Sequence, residues 1–193
     1  MIYTVELNFS DPGHEAEWNA WYETYLTQLV SVPGLTTAQR FRALTPETPA
    51  WVYLAIYSVA SLEVFASEAY RGIGGGGQAS RRFREAIRRR RNVYAGIERF
   101  PEISEAGCVV LSDGTSPRKD LPDCLFVPLE AASGRRQAGA TELDGAPLRR
   151  AIAVITQETV ARHRLLHTEG HTKYTPMSQR YVATPMEVER ASG

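Results

Sequence analysis

The segment EAEWNAWYETYL places Trp18, Trp21, Tyr22 and Tyr25 three and four residues apart, so that in a helix their rings fall on one side. A phenol held among flat apolar rings offers a hydrogen-bond donor to a ligand oxygen or an enolate, and burial tunes its acidity. Tyr25 is the first candidate for that chemistry. Trp21 and Tyr22 would form the walls of a pocket, with Phe41 and, from the next strand, Tyr53 or Tyr57 as inward partners. Tyr57 is a second group able to polarise a bound oxygen. His14 follows Asp11-Pro12-Gly13 at the mouth of the helix and could serve as a base with its neutral imidazole turned inward. Arg40 and Arg42 project from the opposite side to Phe41 and could hold an anionic group or form surface ion pairs. The plainer alternative is that the rings simply cover a sheet and His14 sits exposed at a helix start.

Other motifs are weaker. In HRLLHTEGH, His163, His167 and His171 stand at four-residue steps, and the first two would stack on one helical face like a metal pair. Gly170 breaks that helix before the third, and Glu169 lies beside the pair rather than inside it as in His-Glu-x-x-His. A surface cluster is favoured and no metal is assigned. GIGGGG holds the dinucleotide spacing at Gly72, Gly74 and Gly77, but it follows a helix and lacks a downstream acidic partner, so it reads as a connector. Arg81, Arg82, Arg84, Arg88, Arg89, Arg90 and Arg91 suggest a basic helix from Ser80 to about Tyr94, with Phe83, Ile87 and Tyr94 toward the core. Its charges would face solvent or another subunit, with an anionic substrate as the functional rival.

These groups need a scaffold. Tyr3, Val5, Leu7 and Phe9 of MIYTVELNF share one strand face, and the aromatic helix runs from His14 to the Val32-Pro33-Gly34 exit. LTTAQRFRAL and WVYLAIYSV form a hairpin, followed by a helix over SLEVFASEAYR, the basic helix and a strand near IERFPEI. The order is the split βαβ pattern of a ferredoxin-like unit. The second half repeats part of it: RRQAGATEL and LRRAIAVIT resemble the hairpin, ETVARHRLL the helix after it, and QRYVATPMEV the last strand, while GCVVLSDG and DCLFVPLEA are two further strand-like pieces. The predicted fold class is therefore α+β. It consists of ferredoxin-like βαββαβ units with antiparallel sheets, residues 1–105 and 106–193, closing an α/β barrel by tandem repeat within the chain or by dimerisation.

Composition sets bounds. Lys plus Arg equals Asp plus Glu at 22 each in 193 residues, so no global field draws the chain to nucleic acid. No apolar run reaches the ~20 residues of a membrane span, and no basic-then-apolar leader opens the chain; a cytoplasmic protein is expected. Cys108 and Cys124 are too few for a disulfide scaffold and lack Cys-x-x-Cys spacing.

MIYTVELNFSDPG, the helix beginning EAEWNAWY, the exit SVPGLTTAQRFR and the strand WVYLAIYSV together resemble the EthD-like branch of the dimeric α/β-barrel superfamily. The resemblance covers the first half well and the second only through the repeat. It implies paired ferredoxin-like sheets, a cavity between each sheet and its helices, and a homodimer. The activities it implies range over cofactor-free monooxygenation, isomerisation and cyclisation, with haem-handling relatives besides. Relatives carry a His-x-Pro step before the Val-Pro-Gly exit; here Tyr25 and Thr27 stand at those two positions, which weakens a histidine mechanism. The resulting expectation is an enzyme that uses no redox cofactor and acts on an aromatic or polyketide-like small molecule. The alternatives are a non-catalytic binding or assembly protein and a haem or metal protein using His163, His167 and His171.

Overall fold

Strand β1 (Ile2–Phe9) alternates as its pattern requires, yet both faces are covered. Tyr3, Val5 and Leu7 lie under a helix, while Ile2, Thr4 and Glu6 point the other way, and Thr4 and Glu6 are each 1% exposed. The covering helix, α1 (Glu15–Val30), carries Glu15 and Glu17 in its first turn, where carboxylates oppose the helix dipole. It buries Trp18, Tyr22, Tyr25, Leu26 and Leu29. The chain leaves it through Gly34 at φ +91°, where a Cβ would lie 2.5 Å from the Val64 side chain. Strands β2 (Leu35–Ala43) and β3 (Tyr53–Val59) form the expected hairpin. The single helix expected after β3 is instead a 3₁₀ turn at Leu62–Ala66 and a short α2 (Glu68–Gly72), divided where the Ser67 hydroxyl accepts from the Tyr70 amide. The structure is a computed structural model and describes residues 1–44, 51–75, 80–113, 124–133, 146–162 and 170–184.

The basic helix is a correction. Arg81–Ala86 is a 3₁₀ turn, and Ile87–Ala95 is strand β4, paired along the whole of β1; IERFPEI is not a strand. The register sets Arg90 opposite Glu6. A carboxylate as deeply buried as Glu6 requires cations beside it, and a solvated helix would have carried them away.

The second half supplies β5 (Gly107–Asp113), β6 (Val127–Ala131), β7 (Arg149–Thr156), α3 (Gln157–Arg162), β8 (His171–Pro176) and β9 (Tyr181–Val182). QRYVATPMEV therefore contributes only the two-residue β9 within the described residues, and HTKYTP, of which only His171 was read above as part of the histidine cluster, is the strand that completes the sheet. RRQAGATEL lies outside the described residues.

Strand order is β3-β1-β4-β6-β7-β5-β8-β2, and β2 returns to β3, closing an eight-stranded antiparallel barrel within one chain; β9 is appended to β2. The first four strands run β4-β1-β3-β2 and the next four β8-β5-β7-β6, the same order twice. The joins between them are short: Tyr94 and Ala95 against β6, and Phe41 to Ala43 against β8.

Three apolar layers result. One fills the barrel, with Ile2, Phe41, Leu54, Ile56 and Tyr174; one lies between α1 and the first sheet; a smaller one, with Cys108 and Val160, lies beneath α3. The barrel also contains an ion cluster. The Glu6 carboxylate accepts from Arg90 Nε at 2.7 Å and Nη2 at 2.8 Å, and from Arg150 Nη1 at 2.8 Å and Nη2 at 3.3 Å. The same guanidinium groups donate to Asp113. Burial alone would lower the Arg150 pKa, but Glu6 reverses this and raises it. The cluster draws Glu6 and Arg90 from the first four strands and Asp113 and Arg150 from the second four.

Candidate active site

The layer under α1 is not fully packed. A cavity remains between the helix and the outer face of the first sheet, bounded by Trp21, Tyr22 and Tyr25 from α1, by Tyr3, Val5 and Leu7 from β1, and by Tyr57 from β3. Tyr70, Ser80, Ile87, Arg89 and Arg91 also border it. The helical period turns the three α1 rings down onto the sheet, and the strand period brings up the odd-numbered residues of β1, β3 and β4 to meet them. Trp21, Ile87 and Arg89 are half-buried and mark its mouth; Tyr22, Tyr25, Tyr57 and Tyr70 are buried.

Space in the cavity is modest, about 50 Å³ for the centres of water-sized molecules. At roughly 10–15 Å³ of that measure for one water, it has room for a few water molecules.

Within it one pair of phenols is hydrogen-bonded. Tyr22 and Tyr57 hydroxyls are 3.1 Å apart, and the Trp21 and Tyr25 rings stack with centroids at 5.2 Å. Burial pushes the Tyr22, Tyr25 and Tyr57 phenols above the ordinary tyrosine value. The neighbouring Tyr22 adds to the rise at Tyr25 and Tyr57, whereas Arg40 opposes it at Tyr22, and Arg91 and Arg89 oppose it at Tyr25. At neutral pH these groups are protonated donors rather than bases.

The cavity thus unites Trp21, Tyr22, Tyr25 and Tyr57 from the sequence-based set and leaves out the other four. Phe41 faces the barrel interior, on the opposite side of the sheet. The expectation failed because a strand buried on both faces has no apolar side to mark the pocket. Arg40, not Phe41, is on the helix side, 4.0 Å from the Tyr22 ring centroid and donating to Asn19 Oδ1 at 2.9 Å. It is fully buried under Trp18, Tyr22 and Tyr53, with Glu23 at 3.6 Å, and serves as packing for the helix rather than as a cavity wall. The Tyr53 ring meets Trp18, and its hydroxyl donates to Glu15. Arg42 is exposed over the Tyr53 ring. His14 is exposed and joined to Asp11 Oδ2 at 2.7 Å, in a separate groove with Glu17 and Arg82. No base for the cavity comes from that side.

Sequence reading missed Tyr70 and set Arg89 and Arg91 on a basic helix, with an anionic substrate only as the rival to a solvated or intersubunit face. A run of four arginines shows neither a period of two nor one of 3.6; only the flanking Ile87 and Val93, both odd-numbered, signal which arginines share their face. Of the histidine cluster, His163 and His167 lie outside the described residues, and His171 opens β8 with its ring against Phe126. Among the described residues no group of three or more His, Cys, Asp and Glu side chains is placed to hold a metal ion. No helix among them is long and apolar enough to cross a membrane.

No family model and no curated protein matches the sequence. Solved structures do match. An anthrone oxidase-like protein superposes with a TM-score of 0.55 at 12% identity, covering 95% of this chain and 94% of that one. A chlorite dismutase-like protein superposes with a TM-score of 0.50 at 12% identity, covering 92% of this chain and 95% of that one. A monooxygenase-like protein of Fusobacterium nucleatum gives 0.48 at 10% identity, covering 95% of each chain. Likeness at such identities concerns architecture, since one fold hosts many chemistries. The chain has the dimeric α/β-barrel fold, with its eight-stranded barrel completed by a single polypeptide.

Proposed function

We propose that the protein is a small-molecule enzyme that binds an aromatic compound in the Tyr25 cavity and acts on it without a redox cofactor. The observation that carries this reading is the cavity itself, an aromatic-walled space lined by the protonated phenols of Tyr22, Tyr25 and Tyr57, the first and last of them hydrogen-bonded to each other. Such donors stabilise negative charge that develops on a substrate oxygen, as in an enolate, and the rings hold the substrate plane. A fold shared with an anthrone oxidase-like protein is consistent with this chemistry. In an oxygenation the electrons would come from the substrate carbanion; isomerisation or cyclisation needs only proton transfer and enforced geometry. The competing reading is a non-catalytic protein, which would hold a ligand in the same cavity without turnover or, as an assembly protein, would need that space filled by side chains.

The EthD-like affiliation, the division into related units 1–105 and 106–193 and a cytoplasmic location belong to the same proposal. So does a homodimer, which would have to form through outer faces because the barrel already joins its own edges.

Turnover by Tyr25→Phe is the direct test. With a substrate found by screening aromatic enolisable compounds, kcat should fall about a hundredfold with KM nearly unchanged, as when one oxyanion donor is removed. Undiminished turnover would take Tyr25 out of the chemistry, and failure of every aromatic compound to bind would end the proposal.

A further inference from the structure

The Tyr22–Tyr57 pair holds two hydroxyl protons and one hydrogen bond, so one proton is spent inside the pair and the other is left for a third oxygen. Both phenols line the cavity, and among the described residues no further acceptor reaches either hydroxyl. Which proton is offered depends on the charge around the rings. Arg40, which is not a cavity wall, has its guanidinium centre 4.0 Å from the centroid of the Tyr22 ring, and its Nη2 donates to Asn19 Oδ1 at 2.9 Å. It is fully buried and its carboxylate neighbour, Glu23, stands at 3.6 Å, so solvent screens its field little. Asn19, Tyr22 and Glu23 follow the i, i+3, i+4 spacing of one helical face, so α1 carries both the phenol and the groups that hold the cation to it. The Tyr22 phenol is faced by Arg40 from β2, Tyr57 from β3, Tyr3 from β1, Arg89 from β4 and Tyr25 from its own helix. Arg40 is the largest of the influences that oppose burial there, whereas at Tyr57 burial, Tyr22, Tyr25 and Tyr3 all hold the proton on.

We infer that Arg40 is a positioning residue for the phenol pair: held against the Tyr22 ring, it makes Tyr22 the hydroxyl offered to a bound oxygen, with Tyr57 donating to Tyr22 in turn. A cation against a phenol ring draws electron density from the hydroxyl and strengthens it as a donor. The stronger donor meets the more negative acceptor, the substrate oxygen. The weaker donor then meets the Tyr22 oxygen, and each bond polarises the next. The inference rests on the proposal that this cavity is the substrate site. It goes further by ordering the two hydroxyls and by giving a role to a buried guanidinium that touches no ligand.

Difluorotyrosine, a more acidic phenol, placed in the full chain at the position of Tyr22 or of Tyr57 reads this order without any substrate, its ionisation being followed by fluorine NMR. The midpoint at the Tyr22 position should lie below that at the Tyr57 position. Arg40→Met should raise the midpoint at the Tyr22 position by about one pH unit, a tenfold change in acidity, and move the other less. Arg40→Lys keeps the charge and should hold it low. Should Arg40→Met fail to fold, Glu23→Gln takes its place: it removes the counter-charge from a partly exposed position and should lower the midpoint at the Tyr22 position more than at the Tyr57 position. With a substrate in hand, Tyr22→Phe should reduce kcat more than Tyr57→Phe does. Arg40→Met should reduce it about tenfold with KM nearly unchanged, and Arg40→Lys should restore most of the loss. A midpoint at the Tyr22 position equal to or above that at the Tyr57 position, or one that neither Arg40→Met nor Glu23→Gln moves, would overturn the inference and leave the cavity standing as a ligand site. Failure of every aromatic compound to bind would end the proposed function, and with it the part of Arg40 in turnover, whatever the order of the midpoints.

Discussion

The hydroxyls of Tyr22 and Tyr57 meet 3.1 Å apart, joining α1 to β3 across the floor of the cavity. Both groups are buried, so removing either leaves the other without this partner. Tyr22→Phe or Tyr57→Phe should each lower stability by about 1–3 kcal/mol, and the double variant should cost less than the two added together. Urea denaturation of the four proteins measures the coupling. Strict additivity would mean that the two hydroxyls do not interact in solution.

Alkali should unfold the protein by way of the same phenols. Tyr22, Tyr25, Tyr57 and Tyr174 are held above the ordinary tyrosine value by burial, and burial pushes the Cys108 thiol up to about 12. Their folded pKa values exceed the unfolded ones, so their stabilising contribution is complete below about pH 8 and is lost as the pH climbs past ~10. Each such group steepens the decline by up to about 1.4 kcal/mol per pH unit. Urea midpoints between pH 8 and 11, read beside tyrosinate absorbance, should fall together as the buried tyrosines ionise. Midpoints that stay level to pH 11 would contradict this burial.

Glu6 should be among the least replaceable residues in the barrel. Glu6→Gln leaves the Arg90 and Arg150 guanidinium groups facing Asp113 alone and should cost about 3–5 kcal/mol. Replacing Glu6 and Arg150 together by methionine should cost less than Glu6→Gln, because no uncompensated charge then remains inside. Chemical denaturation of both variants decides the matter.

Much of the first half was legible because its elements have distinct periods. Tyr3, Val5 and Leu7 repeat every second residue, Trp18, Tyr22 and Tyr25 every third or fourth, and from these the helix-over-sheet arrangement and the Tyr25–Tyr57 neighbourhood follow. Phe41 and Arg40 were assigned to the wrong sides for a physical reason. Closure of the barrel gives the sheet two interiors, and the aromatic rings of Trp18, Tyr22 and Tyr53 make the helix side hospitable to a cation. The arginine run was illegible as a strand because side chains of one kind erase any alternation. That loss hid the fourth strand and with it the charged wall of the cavity. Closure within one chain depends on β6 and β8 meeting β4 and β2 over two or three residues each, contacts with no signature in local pattern.

The repetition along β4 has a further effect. Arg88 through Arg91 are chemically identical, so sliding this strand by two positions along β1 in the direction that brings Arg88 up would still return an arginine to the place opposite Glu6. Electrostatic attraction cannot count residues here. The alignment is instead measured out by the unlike groups at the strand's ends, Ile87 beside Phe9 and Tyr94 beside Ile2, which act as the ruler for a ladder whose middle rungs are interchangeable.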